Sequence, residues 1–218
     1  MKYKAFIFDF DYTLIDATTG IVECVNYALE QAGLKPANRE NIRKTVGMTL
    51  RDIFFELTGI NDSTVADRFF SDFISRADEI MTENTVLFDD TIDILSRIKQ
   101  DGYKVAVVTT KIRYRVYEIL DKFNIHELFD YIVGLEDVEN VKPSPEGILK
   151  AIDFFGYDKD SVLFTGDTLI DANAAANASV DFAAVLTGAT EKEEFLDLPH
   201  VYIAENLTEL FEHIYKVE

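Results

Sequence analysis

Ala5-Phe6-Ile7-Phe8-Asp9-Phe10-Asp11 is an apolar run that stops at two acids one residue apart. Four consecutive apolar residues with no polar face read as a fully buried strand, the kind found inside a parallel sheet. Alternate side chains of an extended strand share a face, so Asp9 and Asp11 are expected to project together from its carboxyl end. Two carboxylates in one small space are costly unless a cation neutralises them or one keeps a proton. The plain alternative is a strand running into an acidic turn.

Similar runs recur at Lys104–Val108, Tyr131–Val133, Val162–Phe164 and Phe182–Leu186, with a weaker one at Val201–Ile203. Short runs apolar on both faces and separated by helical patterns indicate a doubly wound, Rossmann-like α/β core with a parallel sheet covered on both sides. Ligands of such sheets bind beyond the carboxyl ends of the strands, so the residues after each run carry the functional argument.

The first two runs are separated by a long stretch that reads almost entirely as helix. Ile21, Cys24, Val25, Ala28, Leu29 and Ala32 form one apolar stripe, which Gly33 and Pro36 terminate. Asn38 is placed to cap a short second helix, and Thr49 with Asp52 forms a capping-box pattern before a third, Ile53 to Leu57, closed by Gly59. A fourth helix runs from about Ser63 to Met81. The insert is too long for an ordinary crossover. The expected division is a helical cap over 16–83, with 1–15 and 84–218 making the α/β core.

Composition narrows the function classes. The 218 residues are 48% hydrophobic, enough for a sizeable core, and the formal net charge of −19 sets the surface against nucleic acid and anionic membrane. No apolar run approaches the roughly 18 residues of a membrane span, so a cytoplasmic protein is expected. Cys24, the single cysteine, stands at helical spacing among apolar residues and reads as core.

Three further strand ends carry polar groups suited to phosphate chemistry. Thr109-Thr110-Lys111 follows the second run; two hydroxyls beside a helix start can donate to phosphoryl oxygens, and threonine there also serves as a cap. Pro143 disfavours the α conformation at Lys142, holding that lysine extended before a helix starting near Pro145. Gly166-Asp167-Thr168-Leu169-Ile170-Asp171 follows the fourth run, with Asp167 at the strand end and Asp171 in the next helix's first turn. An aspartate at that place can be an N-cap, which accounts for one of the two. The all-oxygen set Asp9, Asp11 and Asp167 suits Mg²⁺.

The ordered set Asp9/Asp11, Thr109, Lys142, Gly166-Asp167/Asp171 resembles the haloacid dehalogenase superfamily. In particular it resembles the branch of phosphoglycolate phosphatases and β-phosphoglucomutases, which carries a helical cap after the first strand. The resemblance implies that Asp9 is the nucleophile and forms an aspartyl-phosphate, with Asp11 as general acid and then base. It implies that Thr109 and Lys142 hold phosphoryl oxygens. The implied metal group is Asp9, Asp11, Asp167 and Asp171, with Asp11 offering its backbone carbonyl and Asp171 orienting the water shell or Lys142. Thr13, Thr110, Gly47 and Arg51 are the implied substrate contacts, the last two from a cap loop that also holds Lys44. Dehalogenases lack the second aspartate of the first motif, so Asp11 argues for phosphate chemistry. Tyr12 stands where glycine is usual and Thr110 where asparagine is common.

The function expected on this resemblance is a Mg²⁺-dependent phosphatase, monomer or homodimer, acting on a small phosphorylated metabolite such as a phosphoglycolate-like monoester. A phosphomutase, a pyrophosphatase and a catalytically degenerate phosphate-binding protein are the alternatives. A signalling receiver would carry its phosphorylated aspartate on a later strand and would lack the helical insert.

Overall fold

The computed structural model describes residues 2–216. The chain opens with β1 (Ala5–Phe8) and a two-residue strand β2 (Ile15–Asp16), followed by helices α1 (Thr18–Gln31), α2 (Arg39–Arg43), α3 (Leu50–Thr58) and α4 (Ser63–Ile80). After β3 (Val86–Leu87) come α5 (Thr91–Gln100), β4 (Lys104–Val108), α6 (Arg113–Phe123), β5 (Tyr131–Val133) and α7 (Glu146–Phe155). The last third holds β6 (Val162–Gly166), α8 (Leu169–Ala178), β7 (Asp181–Val185), α9 (Lys192–Phe195), β8 (Tyr202–Ala204) and α10 (Leu207–Lys216). Two compact units result, Met1–Ile15 with Leu87–Glu218, and Asp16–Val86.

The larger unit is built on a six-stranded sheet in the order β5-β4-β1-β6-β7-β8, every pair parallel. Alternation along β1 explains why both faces must be covered. Ala5 and Ile7 join the core cluster made with Ile148, Ala151 and Ile152 of α7 and Ala172, Ala174 and Ala175 of α8. Phe6 and Phe8 point the other way, with ring centroids 5.1 and 6.3 Å from that of Phe211 on α10. All four residues of β1 are fully buried, so each contributes on the order of 1.5–3 kcal/mol for its larger side chains. From β1 the chain moves outward through β4 to β5, then returns to β6 on the other side of β1. The direction of winding therefore reverses between β1 and β6, where an open α/β sheet leaves a crevice at its carboxyl edge.

The smaller unit is helical. In α1 the buried residues Ile21, Cys24, Val25, Ala28 and Leu29 fall on one stripe, and α4 buries Ala66, Phe69, Phe73 and Ala77. These two helices pack closely: a Cβ on Gly20 would come within 2.8 Å of the Met81 sulfur. Phe54 of α3 completes the core, 5.3 Å from Phe69 between centroids. The caps lie where the side chains call for them. Asn38 accepts from the Asn41 N–H, and Thr49 from that of Asp52, so α3 begins at Leu50, a turn before the expected Ile53. Among the described residues no helix is long and apolar enough to cross a membrane.

Candidate active site

The site grows out of the sheet's carboxyl edge. Asp9 lies one residue beyond β1, and its backbone N–H still donates to Thr165 O at 2.8 Å, so the ladder fixes it as firmly as the strand. Residues 5, 7 and 9 share a face under strand alternation, which sends the Asp9 carboxylate toward the α7 and α8 side. Lys142, in the loop before α7, and Asp171, in the first turn of α8, meet it there. The Lys142 ammonium donates to Asp9 Oδ1 and to Asp171 Oδ1, each at 2.6 Å. All three side chains are buried, and the Lys142–Pro143 peptide is cis.

Asp171 has both oxygens committed. While Oδ1 takes Lys142, Oδ2 accepts from the Thr168 backbone N–H at 3.1 Å and its hydroxyl at 2.6 Å, closing a capping box on α8. Of the roles read for it in the sequence, those of helix cap and orienter of Lys142 are filled together. Gly166 permits this, since a Cβ there would lie 2.5 Å from that of Asp171.

Asp167 stands at the end of β6. Its Oδ1 lies 3.4 Å from the Thr13 hydroxyl, while Oδ2 is buried with no hydrogen-bond partner. A buried carboxylate oxygen left unpaired is expensive and calls for a ligand. Oxygens of Asp9, Asp167 and Asp171 lie within 4.8 Å of one another. Three carboxylates and one ammonium leave two negative charges in a dry space, and the donors are all hard oxygens. That set fits a divalent cation such as Mg²⁺.

Without a cation the electrostatics push protons onto the cluster. Burial raises Asp9 to about 7; Lys142 opposes this, and the nearby Asp171 charge adds to it. Burial, with the Asp171 and Asp9 charges, holds Asp167 well above the usual carboxylate range. Burial alone would lower Lys142, but the carboxylates of Asp171 and Asp9 outweigh it and keep the ammonium charged.

Asp9 and Asp11 are expected from strand alternation to project together; the Asp11 charge does bear on Asp9, adding to the rise in pKa that burial causes, while the two acids take different cations. The strand ends at Phe8, Tyr12 takes a left-handed φ of 60°, and the Asp11 carboxylate turns to a different cation, with Oδ2 3.0 Å from the Lys111 ammonium. Each acid thus has its own lysine. The non-glycine left-handed residue costs roughly 1–2 kcal/mol. Tyr12 offsets it by burying its ring, and the Thr187 hydroxyl donates to the Tyr12 carbonyl.

The remaining expected residues divide between the two units. Thr109 is buried just past β4, its N–H donating to Val133 O at 3.0 Å and its hydroxyl accepting from the Lys111 N–H at 3.1 Å. Thr110 follows, half-buried. Gly47, Arg51 and Lys44 belong to the helical unit. There Gly47 has φ 99°, Arg51 pairs with Asp67, and Lys44 lies 3.6 Å from Glu40. Two parts of the site were missed in the sequence: Lys111, and the Thr187-Gly188 pair after β7. A Cβ on Gly188 would fall 1.8 Å from Asp167 Oδ2, so only glycine admits that carboxylate. Both follow apolar runs, and that position was the available signal.

Residues 6–185 match the family model of haloacid dehalogenase-like hydrolases. The chain belongs to that family. Among relatives of the hydrolase, pyrophosphatase PpaX of Bacillus cereus (strain AH820) is 30% identical over 187 residues, covering 85% of this chain and 84% of that one. The phosphoglycolate phosphatase of Aquifex aeolicus (strain VF5) is 29% identical over 189 residues, covering 85% of each chain. A solved structure from Bacteroides fragilis, described as a haloacid dehalogenase-like hydrolase, superposes with a TM-score of 0.93 at 39% identity, covering 96% of this chain and all of that one. The family and the α/β fold read from the sequence are those found. Relatives named as phosphatases place phosphatase chemistry in this hydrolase's immediate family.

Proposed function

We propose that the protein is a Mg²⁺-dependent phosphatase that turns over a small phosphate compound through an aspartyl-phosphate on Asp9. The observation that carries this reading is the buried Asp9 carboxylate, fixed by the sheet and held at 2.6 Å by a lysine that Asp171 anchors in turn. A Asp9 oxygen forms a bond to phosphorus as the bond to the leaving oxygen breaks; that oxygen keeps the electron pair and takes the proton of Asp11. Water then attacks phosphorus, gives its proton to Asp11, and orthophosphate leaves as the Asp9–phosphorus bond breaks. Two displacements on one carboxylate replace a single harder one.

Thr109 and Lys142 bind phosphoryl oxygens in this reading, with Thr13 and Thr110 as neighbouring contacts. Asp9, Asp167 and the Asp11 backbone carbonyl would hold Mg²⁺, which supplies positive charge to the carboxylates and to the phosphoryl oxygens. Asp171 positions Lys142, since neither of its oxygens is uncommitted. Gly47 and Arg51, both in the helical unit, are the residues of that unit to test for substrate contact. Phosphoglycolate and pyrophosphate are the first substrates to try.

The test is Asp9→Asn assayed with Mg²⁺ across a panel of phosphate metabolites that includes both compounds. Turnover should vanish for every substrate the unaltered protein accepts, with the far-UV circular dichroism unchanged. Retained hydrolysis would sink the assignment.

A further inference from the structure

Lys111 has no task in the reading above, yet its ammonium lies 3.0 Å from Asp11 Oδ2, and only about a tenth of either side chain is exposed (11% and 12%). The other Asp11 oxygen, Oδ1, is buried without a hydrogen-bond partner. Removing a lysine from water is costly, and a surface position before a helix does not require it. The backbone of Lys111 is pinned on both sides. Its N–H donates to Thr109 Oγ1 at 3.1 Å, and its carbonyl accepts from the Leu135 N–H at 3.0 Å. With the backbone fixed and so little of the side chain exposed, the ammonium is held at Asp11.

That place is defined by the reaction. An acid that protonates the departing oxygen must come within hydrogen-bond reach of it, so the leaving group lies against Asp11, and Lys111 stands one contact further out. We propose that Lys111 is a specificity-determining residue that selects phosphate compounds whose leaving group carries its own negative charge, a carboxylate or a second phosphate. The inference rests on the roles given above to Asp9 and Asp11. An ammonium has three donors; one remains on Asp11 while another meets the anion of the leaving group. An uncharged alcohol gives that donor no charged partner. On a chain of net charge −19 a doubly anionic substrate is repelled by most of the surface, which makes a local cation decisive.

The test compares the unaltered protein, Lys111→Met and Lys111→Arg on phosphoglycolate and pyrophosphate against glycerol 2-phosphate and methyl phosphate. The ratio of kcat/KM between the anionic and the neutral leaving-group classes should fall about 10- to 100-fold in Lys111→Met, mainly through KM, as expected for one charge-assisted hydrogen bond. Lys111→Arg should recover most of that ratio. An unchanged ratio with both classes falling together would overturn the proposal, leaving Lys111 only to hold Asp11; so would an unaltered protein that prefers the neutral class. If the unaltered protein hydrolyses no phosphate compound at all, the roles of Asp9 and Asp11 fail first, and that outcome is visible before any variant is compared.

Discussion

Lys142→Met keeps the length and apolar stem of the side chain and removes its charge, leaving Asp9 Oδ1 and Asp171 Oδ1 buried without their shared donor. Two charge-assisted hydrogen bonds at roughly 1.5–3 kcal/mol each set one bound on the loss. A second bound comes from the escape route, protonation of a stranded carboxyl. Asp9, which burial already raises to about 7, takes its proton near neutrality at little further cost, so the loss falls on the other stranded carboxyl, for which protonation at pH 7 costs about 4 kcal/mol from an ordinary pKa of about 3.9. Both arguments give about 3–5 kcal/mol, the usual cost of removing one partner of a buried pair. With a urea slope near 2 kcal/mol per M, the midpoint should drop by about 2 M. The sign of the pH effect follows from the same escape. A stranded carboxyl has a folded pKa raised above its unfolded one, so its penalty is absent below the unfolded pKa and grows as pH rises toward the folded value. At about pH 5 protonation costs only about 1.5 kcal/mol for that group, and the deficit should shrink by about 2 kcal/mol or more. Urea unfolding followed by circular dichroism in EDTA, at about pH 5 and about pH 7.5, measures both quantities. A deficit under about 1 kcal/mol at the higher pH, or one equally large at the lower, would refute the view that Lys142 holds these carboxylates.

Gly188→Ala should displace Asp167 Oδ2, which an added Cβ would approach to 1.8 Å. A cation at 100 times its Kd stabilises by about 2.7 kcal/mol, so a tenfold weaker site should remove about half of the Mg²⁺-induced rise in Tm; a full rise in the variant counts against Asp167 as a ligand. Asp130→Asn tests a structural carboxylate, which accepts from the Val105 N–H at 2.9 Å and from Lys99 and Lys104 at 2.6 and 3.0 Å. Burial would raise its pKa, but the Lys99, Val105 and Lys104 hydrogen bonds outweigh that and lower it. Its contribution is therefore present above the unfolded pKa and lost as pH falls through the folded one. The variant should be about 1–3 kcal/mol less stable at neutral pH, with the gap narrowing as pH falls below the ordinary carboxylate range; a gap that is unchanged down to the acid limit of the folded protein would contradict the assignment.

Much of the fold is legible because it rests on patterns a few residues long. Apolar runs with no polar face become the strands of a parallel sheet, and their ends shift by only a residue or two where the ladder extends, as at Thr165-Gly166. Helix starts are as readable when a side chain closes the cap, as Asn38 and Thr49 do. The candidate site is legible to the extent that it continues those patterns. Asp9 inherits its face from Ala5 and Ile7, and Asp171 inherits its place from the first turn of α8, so Lys142 finds both on the same side of the sheet.

What escaped the sequence begins where the strand stops. Alternation says that Asp9 and Asp11 share a side, not which partner each finds; past Asp11 the chain turns through the left-handed Tyr12, and the partners stand across the loop. Lys111 comes to Asp11 from the end of β4, and Thr187 and Gly188 come to Tyr12 and Asp167 from the end of β7, strands joined to β1 only through the sheet. No local spacing encodes such meetings. They become predictable once the strand order is known, because a parallel sheet brings every carboxyl end to one edge. The useful reading unit is then the set of residues just past each strand. In this chain that set supplies a cation partner for each acid of the first motif, which is why the pair Asp9 and Asp11 is tolerated in a core unit that offers them little water.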